Sequence, residues 1–145
     1  MNRSDIEIVQ EKLASLQSYY KELADMQGIT LEEYSSNYLY KRTAERLIQL
    51  IIEVATDINN MIIKALGKET PSDYYTSFIK VAEAGVFPIN FALEISPSTG
   101  LRNIIVHEYQ KIEDDIVHAS IKKTLDYYLK YMNYVSHYMD SFSAD

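Results

Sequence analysis

Between Tyr38 and Leu66, apolar side chains return at alternating steps of three and four: Ala44, Leu47, Ile51, Val54, Ile58, Met61 and Ala65. Ile48, Ala55, Ile62 and Leu66 widen that stripe, as expected of a helix buried at the centre of a bundle. Arg42, Arg46, Gln49, Glu53, Asp57 and Lys64 mark its other side, and Gly67 follows as a C-cap. A second seam runs through Val117, Ile121, Leu125, Tyr128, Met132, Val135, Met139 and Phe142, which predicts a final helix over about 114–142. Between and before these lie shorter pieces. The first helix is expected from about Asp5 to Met26, with Ser4 and Glu7 as a capping box and Gly28 as a left-handed stop. Thr30 and Glu33 repeat the box before a short helix, Leu31 to Ser35. Asp73 to Ala84 forms another, with Ser72 as N-cap and Gly85 as its end. Pro88 opens a piece ending near Ile95, residues 96–100 read as a loop, and Leu101 to about Gln110 is helical again. No stretch reads as a strand. The expectation is an all-α, up-and-down helical bundle forming one domain over 1–145.

Composition narrows the chemistry. The 145 residues hold four Gly and three Pro, too few for a barrel or sandwich rich in tight turns. No cysteine is present, which removes disulfides, thiol nucleophiles and cysteine-ligated metals. No apolar run reaches the ~18 residues of a membrane span, so the chain is read as cytoplasmic with no membrane partner. The net charge of −7 shows no basic stripe for coating nucleic acid. Any work on RNA must use a small local positive site. Of thirteen tyrosines, Tyr127, Tyr128, Tyr131, Tyr134 and Tyr138 crowd the last helix and are read as packing groups with their hydroxyls at the water boundary.

One segment concentrates reactive side chains: Arg102, Asn103, His107 and Tyr109 within eight residues. On a continuous helix Arg102 and Tyr109, seven apart, lie almost in line, and Asn103 and His107 share an adjoining strip. All four then border one groove. The plain alternative is a polar helix surface whose Ile104, Ile105 and Val106 supply the core contacts. His118 reads as a packing residue and His137 as incidental. Neither has a second ligand at metal-binding spacing, so no metal or cofactor is expected.

The run RNIIVHEY, an Arg-x4-His-x-Tyr pattern, resembles the signature of HEPN-domain proteins, above all the HepT-like toxins of MNT–HEPN pairs. AERLIQLIIEVATDIN from Ala44, TPSDYYTSFIKVAEAGVFP from Thr70 and GLRNIIVHEYQKIEDDIV from Gly100 extend the likeness over about 38–125. Two positions depart from the pattern: Pro97 interrupts the approach to the motif, and Asn60 stands where many relatives carry a histidine. The resemblance implies a toxin subunit of a type VII toxin–antitoxin pair, a metal-independent endoribonuclease acting as a homodimer. Arg102 and His107 are then catalytic and Asn103 supporting. A cognate MNT-type nucleotidyltransferase antitoxin silences such toxins by moving AMP to the motif tyrosine, here Tyr109. The competing reading is a non-catalytic HEPN module that holds nucleotide or docks a nucleotidyltransferase. Chemistry independently favours a two-fold site. One imidazole cannot be acid and base at once, whereas a dimer joining two motifs supplies both.

Overall fold

The computed structural model describes residues 1–143. Its centre is the helix with the strongest apolar stripe. Numbered along the chain, the helices are α1 (Arg3–Ala24), α2 (Leu31–Ser36), α3 (Tyr38–Ala65), α4 (Tyr74–Glu83), α5 (Ile89–Ile95), α6 (Ser98–His107) and α7 (Asp114–Ser143), with a 3₁₀ turn at Tyr109–Lys111 between the last two. No strand occurs among the described residues. α3 packs against α1, α2, α4, α6 and α7. Ile48, Ile51, Ile52, Ala55, Ile58 and Ile62 are wholly withdrawn from water along it. Each buried isoleucine contributes about 1.5–3 kcal/mol over its exposed state, so this stripe is the main apolar reserve of the fold. The α7 seam is equally buried from Val117 to Met139. Among the described residues no helix is long and apolar enough to cross a membrane.

The ends of the elements follow their caps, with corrections to the sequence reading. Asn2 rather than Ser4 caps α1, its Oδ1 accepting from the Asp5 amide at 2.8 Å. α1 stops at Ala24, and Gly28 does not adopt a positive φ. The Thr30–Glu33 box forms as expected, with both reciprocal bonds present. Asp73 rather than Ser72 caps α4, accepting from the Thr76 amide and hydroxyl, which holds its carboxyl below the usual range. Gly67 and Gly85 do take the left-handed conformation, at φ 77° and 91°. Each closes a Schellman turn, with Lys68 and Val86 reaching back five residues to Ile63 and Val81.

Residues 96–100 are the larger correction. Their composition predicts a loop, yet Ser98, Thr99 and Gly100 form the first turn of α6. Pro97 (φ −60°, ψ −20°) is itself helical and needs no amide hydrogen there, so it starts α6 while dividing it from α5. Thr99 Oγ1 bonds the Ser96 carbonyl at 2.8 Å and closes the joint.

A buried polar chain ties three helices together. The Tyr131 hydroxyl of α7 lies 2.6 Å from Asn59 Oδ1 and 2.9 Å from the Ala55 carbonyl. Asn59 Nδ2 donates to Ser77 Oγ at 3.1 Å, and Ser77 donates to the Tyr74 carbonyl at 2.7 Å. Burial drives the Tyr131 phenol far above its ordinary pKa, so it stays a neutral donor. Its ring also packs on Phe78 and Phe87, as expected of the last-helix tyrosines, but its hydroxyl lies in the core and not at the water boundary. Removing the hydroxyl strands Asn59 Oδ1 in the core. Tyr131→Phe is therefore expected to lower unfolding free energy by about 1–3 kcal/mol, read as a lower urea midpoint at unchanged slope. Tyr134→Phe, at an exposed position, should cost no more than about 0.5 kcal/mol.

Candidate active site

The polar side of α3 carries Arg42, Arg46, Gln49 and Glu53, at steps of four, three and four, hence on one stripe. α6 packs over α3. Arg102 of α6 reaches across to it: its Nε and Nη2 donate to Glu53 Oε1 at 3.1 and 3.0 Å. Gln49 Nε2 donates to the same oxygen at 3.0 Å and fixes the carboxylate. On its flat side the guanidinium stacks over the Tyr74 ring, 4.4 Å from the centroid. Only 15% of the Arg102 side chain meets solvent, which makes such pairing obligatory, since a charge taken from water without a partner is strongly destabilising.

The interaction also has a direction. Glu53 takes the side edge of the guanidinium, and Nη1 gives one bond to Asn103 Oδ1 at 3.3 Å. Nη1 and Nη2 each keep one hydrogen beyond these bonds, and a guanidinium with such donors to spare can meet the oxygens of a phosphate. Asn103 is exposed and turned back on Arg102, not toward His107, with which its spacing groups it.

His107 is the last residue of α6 and is exposed. Five residues beyond Arg102, it points roughly 140° away around the helix. Among the described residues no hydrogen bond or ion pair links it to Arg102 or Asn103. The imidazole is open to whatever docks on α6.

Tyr109 corrects the single-strip expectation. The helix ends because Glu108 leaves helical geometry (φ −128°, ψ 44°), and Tyr109 belongs to the following 3₁₀ turn. Its ring rests against α3, with the Arg42 guanidinium 4.9 Å from its centroid. Arg42 and Glu53 are eleven residues apart on α3, about 16 Å along its axis. Tyr109 and Arg102 are thus anchored three turns apart, and the tyrosine borders Arg42 rather than Arg102. Nη1 of Arg42 also bonds both oxygens of the buried Glu45, at 3.0 and 2.9 Å.

Glu53, Gln49, Tyr74 and Arg42 were not singled out as functional from the sequence. The signal was the polar side of α3, which gives the stripe but not its partners across α6. His118 has the structural role expected: its Nε2 lies 2.6 Å from the Ile29 carbonyl, with the ring against Tyr34. Asn60 is half-buried on α3, with its Oδ1 unbonded. Among the described residues no cluster of three His, Cys, Asp or Glu has the arrangement of a metal site.

Known proteins resemble this chain in sequence and in fold. The tRNA nuclease HepT of Aphanizomenon flos-aquae (strain 2012/KM1/D3) is 31% identical over 132 residues, covering 91% of this chain and 90% of that protein. Among solved structures, the tri-AMPylated HEPN toxin of Shewanella oneidensis in complex with its MNT antitoxin superposes with a TM-score of 0.80 at 21% identity, covering 94% of this chain and 99% of that one. The cytosolic Bacillus subtilis protein YutE superposes with a TM-score of 0.76 at 14% identity, covering 91% of each chain. The family model described as ribonuclease HepT-like matches residues 10–135, from within α1 to well along α7. With that match and a relative aligned over nearly its whole length, the chain belongs to the HepT-like ribonuclease family.

Proposed function

We propose that this protein is the toxin subunit of a type VII (MNT–HEPN) toxin–antitoxin pair: a single HEPN domain, active in the cytoplasm, that cleaves RNA without a metal ion. One observation carries the reading. Glu53 and Tyr74 hold Arg102 with a hydrogen to spare on each of Nη1 and Nη2, on the short helix that ends in an exposed His107. The family supports a nuclease, and the 31%-identical relative is by name a tRNA nuclease, so tRNA is the first substrate class to test.

Cleavage needs three things from the protein. The ribose 2′-OH must lose a proton, the leaving 5′ oxygen must gain one, and the pentacoordinate phosphorus must have its charge balanced. Imidazole performs either proton transfer near neutral pH, and the Arg102 guanidinium meets the phosphate oxygens. Within one protomer His107 and Arg102 point apart, and a single imidazole cannot fill both proton roles. A two-fold homodimer through the motif region supplies a second His107 to act with the first. Asn103, bonded to Arg102, helps hold the guanidinium.

His107→Ala and Arg102→Ala are each expected to lower RNA cleavage about 10²–10⁴-fold with helicity unchanged by circular dichroism. EDTA should leave wild-type cleavage intact. A rate abolished by EDTA and restored by a divalent ion removes the metal-independent mechanism.

Mixing wild-type and His107→Ala protomers tests the composite site. A mixed dimer holds one imidazole, so cleavage is expected to fall with the square of the wild-type fraction, and full activity in a protomer shown to be monomeric contradicts it.

Control is assigned to Tyr109, exposed just past the end of α6 with its ring against Arg42. Incubation with the cognate nucleotidyltransferase and ATP should add AMP to Tyr109 and to none of the twelve other tyrosines, and Tyr109→Phe should escape silencing. Mass mapping of the adduct decides it.

A further inference from the structure

Three of the four arginines of this acidic chain gather along the α3–α6 strip: Arg42, Arg46 and Arg102. Two of the three are escorted by a carboxylate, Arg42 by Glu45 and Arg102 by Glu53. Arg46 is exposed and makes no ion pair among the described residues. It stands one turn from Arg42, about 6 Å along the axis, on the side toward Glu53. Arg42 is not used up by its own pair. Only Nη1 engages Glu45, while Nε and Nη2 make no hydrogen bond among the described residues, and the side chain is half exposed. The planar group lies against the Tyr109 ring. So the far end of the strip holds one uncompensated cation, one guanidinium with donors to spare, and an exposed phenol against the second.

We propose that Arg42 and Arg46 form a second phosphodiester site beside Tyr109, distinct from Arg102. It grips the RNA backbone while the tyrosine is bare, and the tyrosine-borne phosphodiester once AMP is attached. The inference rests on the function proposed above and deepens it. In the modification, the Tyr109 oxygen attacks the α-phosphorus of ATP, the bond to pyrophosphate breaks, and the phenol proton passes to solvent. The product is a phosphodiester with one negative charge, tethered within reach of a cation already stacked on that ring. A tethered anion acts at high effective concentration, so it displaces an RNA phosphate from the same arginines without approaching Arg102. Silencing then needs no contact with Arg102.

Two variants test the site. Arg46→Gln touches no ion pair. Arg42→Lys keeps a cation for the buried Glu45 but gives up the planar fork and the stack. The first arm measures binding of a fluorescent 2′-O-methyl RNA 20-mer, which offers phosphodiesters but no 2′-OH to attack, so binding is read apart from cleavage. Each variant is expected to bind roughly three- to tenfold more weakly. The slope of log affinity against log salt should be shallower by about 0.7, the change expected when one RNA phosphate goes unneutralised. The second arm follows the ³¹P resonance of protein carrying AMP on Tyr109. In each variant it should move toward the position of free adenylyl-tyrosine.

A change in one arm alone assigns the site to that source of phosphodiester. Wild-type behaviour of both variants in both arms, or no binding of the 20-mer by the wild type, overturns the site. Binding that depends on both arginines in a protein that fails to cleave tRNA keeps the site and removes the nuclease reading instead.

Discussion

An arginine whose side chain is only 15% exposed has to be paired, and the pairing of Arg102 organises the rest of the strip. Glu53 supplies the countercharge, Gln49 holds Glu53, and Tyr74 carries the flat face of the cation. Tyr74 is in turn placed by the buried chain from Tyr131 through Asn59 and Ser77, which ends on its carbonyl. α3 therefore serves twice. One side is the apolar axis of the bundle, and the other is the bed on which the motif helix lays its arginine.

The charge balance makes the same point from another direction. At −7 overall, a general field would repel a polyanion, and binding must come from donors aimed at short range. Escorting an arginine with a glutamate weakens its reach but fixes its geometry. A charge that is half-neutralised yet oriented suits recognition of a phosphate at close range better than a mobile lysine on a long stem.

Much of this fold was legible because its main signals are local. The stripes of α3 and α7 repeat within the chain itself, so both helices, their buried faces and the all-α class follow from periodicity. Caps were less legible: Asn2 and Asp73 displaced Ser4 and Ser72 because several adjacent residues are competent and backbone geometry chooses among them. Residues 96–100 misled because Pro at a first helical turn looks, by composition, like a loop. Arg102, Asn103 and His107 stood out through the motif, and Arg102 with Asn103 are joined in the fold. Glu53, 49 residues away from Arg102 in sequence, leaves no local trace of that partnership. Tyr109 leaves the strip its spacing predicts because the helix breaks at Glu108.

That break gives the residues of the motif unequal mechanical standing. Between Arg102 and His107 the backbone is helical throughout, so one inserted residue would swing the imidazole by about 100° and destroy the relation between them. Between His107 and Tyr109 lies a bend, where an inserted residue changes the length of a connector and no angular register. In a pattern written as Arg-x4-His-x-Tyr, the first gap is a rigid spacer and the second is slack.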